Sequence, residues 1–151
     1  TSWWRAPERR TQETALALRV NARPVSELRA WDAGRWSGKA VAWVAEHDPA
    51  AFAAWRTDPG SEAHGGEPLN GLIVRVSAWL TEQSLVRGSA LVTADPAIIR
   101  AALVSALGAA PATFWRLDIP PLSLTVLQCA NNEWRVRGVN VEYQDDAVAT
   151  V

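Results

Sequence analysis

Six residues have side chains whose type and setting could bind or transform a ligand. Arg10 carries a planar guanidinium that fits phosphate or carboxylate groups, and its alternative role is a structural ion pair with a nearby acid such as Asp95. Trp31 and Trp36 either line an apolar pocket or pack in the core. The candidate ligand-binding residues are Arg10, Trp31, Asp32, His64, Glu67 and Asp95.

His64 and Glu67 are the candidates for proton transfer. His64 is one of two histidines in the chain, and an imidazole changes its charge near neutral pH. It lies in a polar loop, so a solvated position without chemistry is the alternative. Glu67 can act as an acid or bind a ligand hydroxyl, but it precedes Pro68, where a carboxylate also favours the start of a helix.

Composition limits the classes of partner. The chain has 151 residues, of which 48% are apolar and 21% charged, and this suits a single globular domain over residues 1–151. A formal net charge of −1 gives no field that favours nucleic acid or an anionic membrane. The single cysteine, with neither a signal peptide nor an apolar run of about 20 residues, predicts a soluble, cytoplasmic protein. No metal-ligand spacing or phosphate-binding glycine loop is visible, so we expect no cofactor.

Strand and helix patterns alternate along the chain. An aromatic strand at 1–5 precedes a helix that begins near Pro7, and a second short strand is predicted at 25–28 before an irregular loop at 31–38. Further helices are predicted at 39–46, from Asp48-Pro49 through Trp55, from Pro68 through Leu80, and from Asp95-Pro96 to about Gly108.

Strand patterns also occupy the second half of the chain. A short apolar strand is predicted at 89–93, and alternating residues at 122–127, the Asn131-Asn132 pair and Trp134 predict a terminal hairpin. The order of these elements predicts an α/β fold, with a mostly parallel sheet and an antiparallel C-terminal hairpin.

Several segments, taken in order, resemble the histidine phosphatase (phosphoglycerate-mutase-like) superfamily. APERRTQETA at 6–15 is similar to the family's Ser-Pro-x-x-Arg-x-x-x-Thr-Ala segment, and LRAWDAGRWSG at 28–38 is similar to the segment with the family's general acid. GGE at 65–67 and LVTA at 91–94 resemble the Gly-Gly-Glu loop and the strand before the second catalytic histidine. The ending also follows the family, through the positions Trp115, Trp134 and Asn140. The resemblance implies a three-layer α/β/α fold, with Arg10 at the position of a phosphate-binding arginine.

The departures from the family concern its catalytic groups. Ala30 stands where the general acid is expected, and a methyl group cannot protonate a leaving oxygen. Ala94 stands where the second histidine is expected, and the Arg-His-Gly motif expected on the family's first strand is not among these 151 residues. Asp95 follows Ala94 at a helix start, where its carboxylate would cap the helix and repel an incoming phosphate.

The resemblance also implies a vacant strand position. In the family, the Arg-His-Gly strand lies between the strands matched by 89–93 and 122–127. Without it, two rows of backbone N–H and C=O groups in the core would lack partners, at a cost of about 1–3 kcal/mol for each buried group without a hydrogen bond. The position could be filled by a segment upstream of Thr1 or a separate N-terminal segment, by a strand from another copy in a homo-oligomer, or by direct closure of the two neighbouring strands.

These observations lead to a degenerate phosphatase fold that acts as a ligand-binding or interaction module. The alternative is an enzyme that uses the former pocket for a different small molecule, with His64, Glu67, Asp32 and the flanking tryptophans as its residues. A third possibility is that a separate N-terminal piece restores a phosphatase.

Overall fold

Residues 1–141 of the chain are described by the computed structural model. Their first sheet has three parallel strands, in which β1 (Ser2–Arg5) lies between β2 (Arg23–Pro24) and β3 (Ala90–Thr93). Trp4 is opposite Arg23 on one side and Val92 on the other. The predicted strands at 1–5 and 89–93 are therefore confirmed, and they are direct neighbours.

Five α-helices follow the predicted order. They are α1 (Arg9–Ala17), α2 (Val41–His47), α3 (Pro49–Thr57), α4 (Leu69–Ser84) and α5 (Pro96–Ala106). Both predicted Asp-Pro helix starts are confirmed. In each helix the proline lies in the first turn, where it loses no hydrogen bond. No helix in the described part of the chain is both long and apolar enough to cross a bilayer.

The strand predicted at 25–28 is wrong. The Val25 N–H still donates to the Arg5 carbonyl at 2.9 Å, but Ser26–Leu28 forms a 3₁₀ turn. The cause is the end of β1 at Arg5, which leaves later residues with no strand to pair with. The turn places Leu28 in the core, where it is 1% exposed.

The main core lies between α4, α5 and the parallel sheet. Leu72 of α4 and Ala101 of α5 are fully buried, and the two helices pack directly against each other. The buried residues of α4 recur three or four positions apart, as the sequence predicts for an amphipathic helix. This packing fixes the start of α5, which follows directly after β3.

The C-terminal hairpin is a second sheet. Its strands are β4 (Leu124–Ala130) and β5 (Glu133–Val141), joined through Asn131 and Asn132. Both asparagines have positive φ angles, 54° and 61°, which asparagine tolerates in tight hairpin turns. The predicted hairpin is confirmed. Within the described residues it makes no backbone pairing with β3, so the sheet is divided in two.

Candidate functional site

The carboxyl ends of β1 and β3 bring Arg10 and Asp95 together. The Arg10 Nε donates to Asp95 Oδ1 at 2.5 Å, and Nη2 donates to Oδ2, so the pair is bidentate. The Arg10 side chain is 63% exposed and that of Asp95 is 13% exposed. The alternative role considered for Arg10, an ion pair with Asp95, is therefore what the structure contains.

The ion pair changes the electrostatics of this end of the sheet. Hydrogen bonding to Asp95 raises the pKa of Arg10 above its ordinary value, with a further contribution from the nearby Glu8 carboxylate. The expectation that the Asp95 side chain caps α5 is wrong, because this carboxylate makes no capping bond. It is held by Arg10 instead, through the edge of the guanidinium formed by Nε and Nη2.

Glu8 is a residue of this region that sequence reasoning missed. It precedes α1, but its side chain makes no capping bond with that helix. Its Oε1 accepts a hydrogen bond from the Ala30 N–H at 2.7 Å, across 22 positions of sequence. Its Oε2 is buried and has no hydrogen-bond partner within residues 1–141. A carboxylate thus lies beside the backbone of the residue where the family resemblance expects an acid.

Glu67 has a structural partner. Its two carboxylate oxygens accept hydrogen bonds from Arg75, at 2.9 Å from Nε and 2.7 Å from Nη2. The side chains are 14% and 9% exposed, and Arg75 also donates to the carbonyls of Glu27 and Arg29. Through these contacts the pair joins α4 to the 3₁₀ turn before Ala30, so the role of Glu67 is structural.

The loop residue His64 is fully buried, so the prediction of a solvated histidine is wrong. Its ring stacks on Trp36, with centroids 5.0 Å apart and an interplanar angle of 27°. Its Nε2 lies 3.3 Å from the Asp32 carbonyl, and Nδ1 finds no partner in the described chain. The polar sequence around His64 hides this burial because the loop folds over a tryptophan.

Trp31 and Asp32 join the same group. The Trp31 indole N–H donates to the Glu67 carbonyl at 2.8 Å, and the ring stacks on Trp55 with centroids 5.0 Å apart. The Glu67 N–H donates to the Asp32 carbonyl at 3.0 Å. Gly34 and Gly66 permit this contact between the two loops, since a Cβ on Gly66 would overlap the Asp32 carbonyl and a Cβ on Gly34 would overlap the His64 carbonyl.

The six candidate residues therefore divide into two groups. Arg10 and Asp95 form an exposed ion pair, whereas Trp31, Asp32, His64 and Glu67 join two loops through stacking and backbone hydrogen bonds. In the part of the chain that the structure describes, no three His, Cys, Asp or Glu side chains could together hold a metal ion.

A further ion pair, which sequence reasoning also missed, joins this loop group to α3. The Asp48 carboxylate accepts hydrogen bonds from the Trp36 indole at 2.9 Å and from Arg35. Both hydrogen bonds lower the pKa of Asp48, and the one from Trp36 contributes more than the one from Arg35. The only sequence signal was the Asp48-Pro49 helix start, which does not reveal a contact 12 positions away.

A large groove separates β3 from β4. Its volume is about 990 Å³, and it is lined by both strands and by α4 and α5. Ala94 contributes to the lining at the carboxyl end of β3. Direct closure of the two strands, one of the three possibilities for the vacant strand position, is not what this structure shows.

The chain is similar to known proteins in both sequence and fold. The sequence profile of the histidine phosphatase superfamily (branch 1) matches residues 2–142. The fold is similar to mycobacterial glucosyl-3-phosphoglycerate phosphatase in complex with inorganic phosphate, with a TM-score of 0.79, 23% identity, and coverage of 93% of this chain and 76% of that one. It is also similar to the α-ribazole phosphatase of Shigella flexneri, with a TM-score of 0.78, 16% identity, and coverage of 93% and 73%. Among curated protein sequences, none matches the chain.

Proposed function

The chain belongs to the histidine phosphatase superfamily, and from this premise we propose that it is a catalytically degenerate member that binds a ligand or partner without hydrolysing phosphate esters. The Arg10–Asp95 ion pair carries this proposal. The arginine that the family resemblance assigns to phosphate is engaged by a carboxylate of the same chain. A phosphate that approached the same edge of the guanidinium would have to displace Asp95, and at any other edge it would still lie near the negative charge of that carboxylate.

The two alanines support the same conclusion. The family resemblance places Ala30 at the acid position and Ala94 at the second histidine position, and neither residue can donate a proton or a hydrogen bond from its side chain. Glu67, which the sequence analysis considered as a possible acid, is held by Arg75. These positions lie within the described chain, so the proposal does not depend on what precedes Thr1.

The decisive measurement is hydrolysis of p-nitrophenyl phosphate by the purified chain, beside its Arg10→Ala variant. Both proteins should release product at the rate of buffer alone. An enzymatic rate that is lost in the Arg10→Ala variant would overturn the proposal, because it would show that Arg10 still serves phosphate chemistry. Circular dichroism of both proteins establishes that they are equally folded.

A repurposed enzyme is the second candidate function, and Glu8 favours it. The Glu8 carboxylate lies at the Ala30 backbone with one oxygen buried and unpartnered among the described residues. A carboxyl group there can exchange a proton with a ligand that has no phosphate. Turnover of a non-phosphorylated substrate that is lost in Glu8→Gln but retained in Arg10→Ala would favour this enzyme over a binding module.

A further inference from the structure

The outer face of α2 carries an exposed tryptophan. Trp43 is 40% exposed, whereas Val44, on the opposite side of the helix, is 4% exposed and packs with Trp36. Ala42 and Glu46 are also exposed, and they lie on the Trp43 side because positions three and four apart share one face of a helix. Tryptophan side chains with this much free surface are typical of protein interfaces.

Two neighbours hold the Trp43 ring in place. The His47 ring stacks on it, with centroids 4.3 Å apart and an interplanar angle of 9°, and His47 Nδ1 lies 2.9 Å from the Trp43 carbonyl oxygen. The Lys39 ammonium lies 4.8 Å from the centroid of the same ring. A side chain that is already held loses little conformational freedom when a partner covers it, so the exposed indole is preorganised for an intermolecular contact.

The two ends of this face carry opposite charges. Within residues 1–141 Lys39 forms no ion pair, and the one ion-pair contact of Glu46 is with His47 at 3.9 Å. The Lys39 ammonium lies beside Trp43, and Glu46 follows about one turn further along α2. The face therefore has a positive end, an apolar centre formed by Ala42 and Trp43, and a negative end.

A face of this kind is complementary to a second copy of itself. When two α2 helices lie antiparallel about a two-fold axis between Ala42 and Trp43, each Trp43 is opposite Ala42 of the other copy, and each Lys39 is opposite Glu46. A large side chain opposite a small one lets the helices approach closely, and two ion pairs form at the ends of the contact. A parallel arrangement would instead place like charges opposite each other.

We propose that the chain forms a two-fold symmetric dimer through the face of α2 that contains Lys39, Ala42, Trp43 and Glu46. Two helices of seven residues bury less surface than the roughly 1,200–2,000 Å² of a stable complex, so the dimer is weak and reversible. This interaction surface goes beyond the proposed function, because it contains none of the six candidate ligand-binding residues and does not depend on whether phosphate esters are hydrolysed.

Sedimentation equilibrium of the full chain, from about 10 µM to about 1 mM, tests for the dimer. The parent chain should associate as its concentration rises. Trp43→Ala should associate about ten-fold more weakly or not at all, because a tryptophan at the centre of an interface contributes a large share of the binding energy. A parent chain that stays monomeric over this range, or a variant that dimerises equally well, overturns the proposal. Circular dichroism establishes that both chains are folded.

A matched pair of substitutions locates the contact. Ala42→Glu places a carboxylate opposite Trp43 of the other copy. Val41→Glu adds the same charge at the neighbouring position, which is 64% exposed but lies on a different side of α2. The first change should weaken dimerisation about ten-fold or more, and the second should leave it within about two-fold. Equal effects of the two changes would show only a response to net charge, and the proposal would fail.

Exchange of the two charges tests the antiparallel arrangement. Lys39→Glu and Glu46→Lys each create two repulsive contacts in the symmetric dimer, so each single variant should associate about ten-fold more weakly or worse. The double variant restores both ion pairs at the net charge of the parent and should recover most of the affinity. For the same reason, a mixture of the two single variants should form a heterodimer. A double variant that associates no better than the single variants refutes the antiparallel pairing.

A lipid surface on the same face gives a different result. The parent chain would then bind vesicles of phosphatidylcholine and phosphatidylglycerol, would lose this binding in Trp43→Ala, and would remain monomeric without lipid. Such a result contradicts the proposal, because the two-fold dimer forms from the purified chain alone.

Discussion

The Glu8 carboxylate accepts a hydrogen bond from the Ala30 N–H at 2.7 Å and so ties the start of α1 to the loop that follows the 3₁₀ turn. Both residues belong to segments that the family resemblance assigns to the phosphate pocket. The contact gives Glu8 a structural role that can be measured.

Replacing Glu8 should destabilise the chain. Glu8→Ala removes the acceptor and leaves the Ala30 N–H unpaired in a half-buried position, which should lower the free energy of unfolding by about 1–3 kcal/mol. Glu8→Gln retains an oxygen acceptor and should cost less. Urea unfolding of the three proteins provides the comparison, and equal stability of Glu8→Ala and the parent would show that the bond does not contribute.

Removing Asp95 should free Arg10 for an external anion. In Asp95→Ala we expect inorganic phosphate to shift the Arg10 Nε–H resonance in NMR, and in the parent chain we expect a much smaller shift. Since Arg10 is 63% exposed, a double-mutant cycle between the two residues should give a coupling of less than about 1 kcal/mol. Identical phosphate titrations of the parent and the variant would contradict the view that Asp95 occupies the anion position.

Breaking the Glu67–Arg75 pair should lower the free energy of unfolding by more than breaking the Arg10–Asp95 pair. Both side chains are almost fully buried, so Arg75→Met leaves the Glu67 carboxylate with only the Arg29 guanidinium at 3.9 Å, and should lower the free energy of unfolding by about 3–5 kcal/mol. The double variant Glu67→Gln, Arg75→Met removes that stranded charge and should recover part of the loss. Chemical denaturation tests this order, and a double variant no more stable than Arg75→Met would argue against a charge-pair origin.

Asp48 should make the stability of the folded chain depend on pH. Its pKa is lowered in the folded chain by the Trp36 and Arg35 hydrogen bonds, so its contribution is present above the ordinary value of 3.8 and is lost as the pH falls through the folded value. Asp48→Asn should therefore be less stable than the parent at pH 7, and the difference should shrink in acid. Thermal unfolding from pH 7 to pH 2 is the measurement. A difference that stays constant over this range would exclude the proposed linkage.

Most of the fold could be predicted from the sequence because its signals are local. The 3–4 residue spacing in α4, the proline starts of α3 and α5 and the paired asparagines of the hairpin each depend on a few neighbouring residues. The 3₁₀ turn at Ser26–Leu28 was not predictable in this way, because it depends on where β1 ends.

The site was predicted less well, since its contacts join distant segments. Arg10 and Asp95 are 85 positions apart, and only the family resemblance placed them at one end of the sheet. The burial of His64 was not predicted because its neighbours in the sequence are polar, whereas the contacts that bury it are with Trp36 and the Asp32 backbone. No local pattern identifies Glu8, whose partner is a backbone N–H.

The division of the sheet has a consequence for cooperativity. In the described chain the hairpin shares no backbone hydrogen bonds with the parallel strands, so side-chain packing is what couples the two halves. Packing alone permits partial opening, and we expect hydrogen exchange to resolve two unfolding units, with β4 and β5 opening at a lower free energy than β1 and β3.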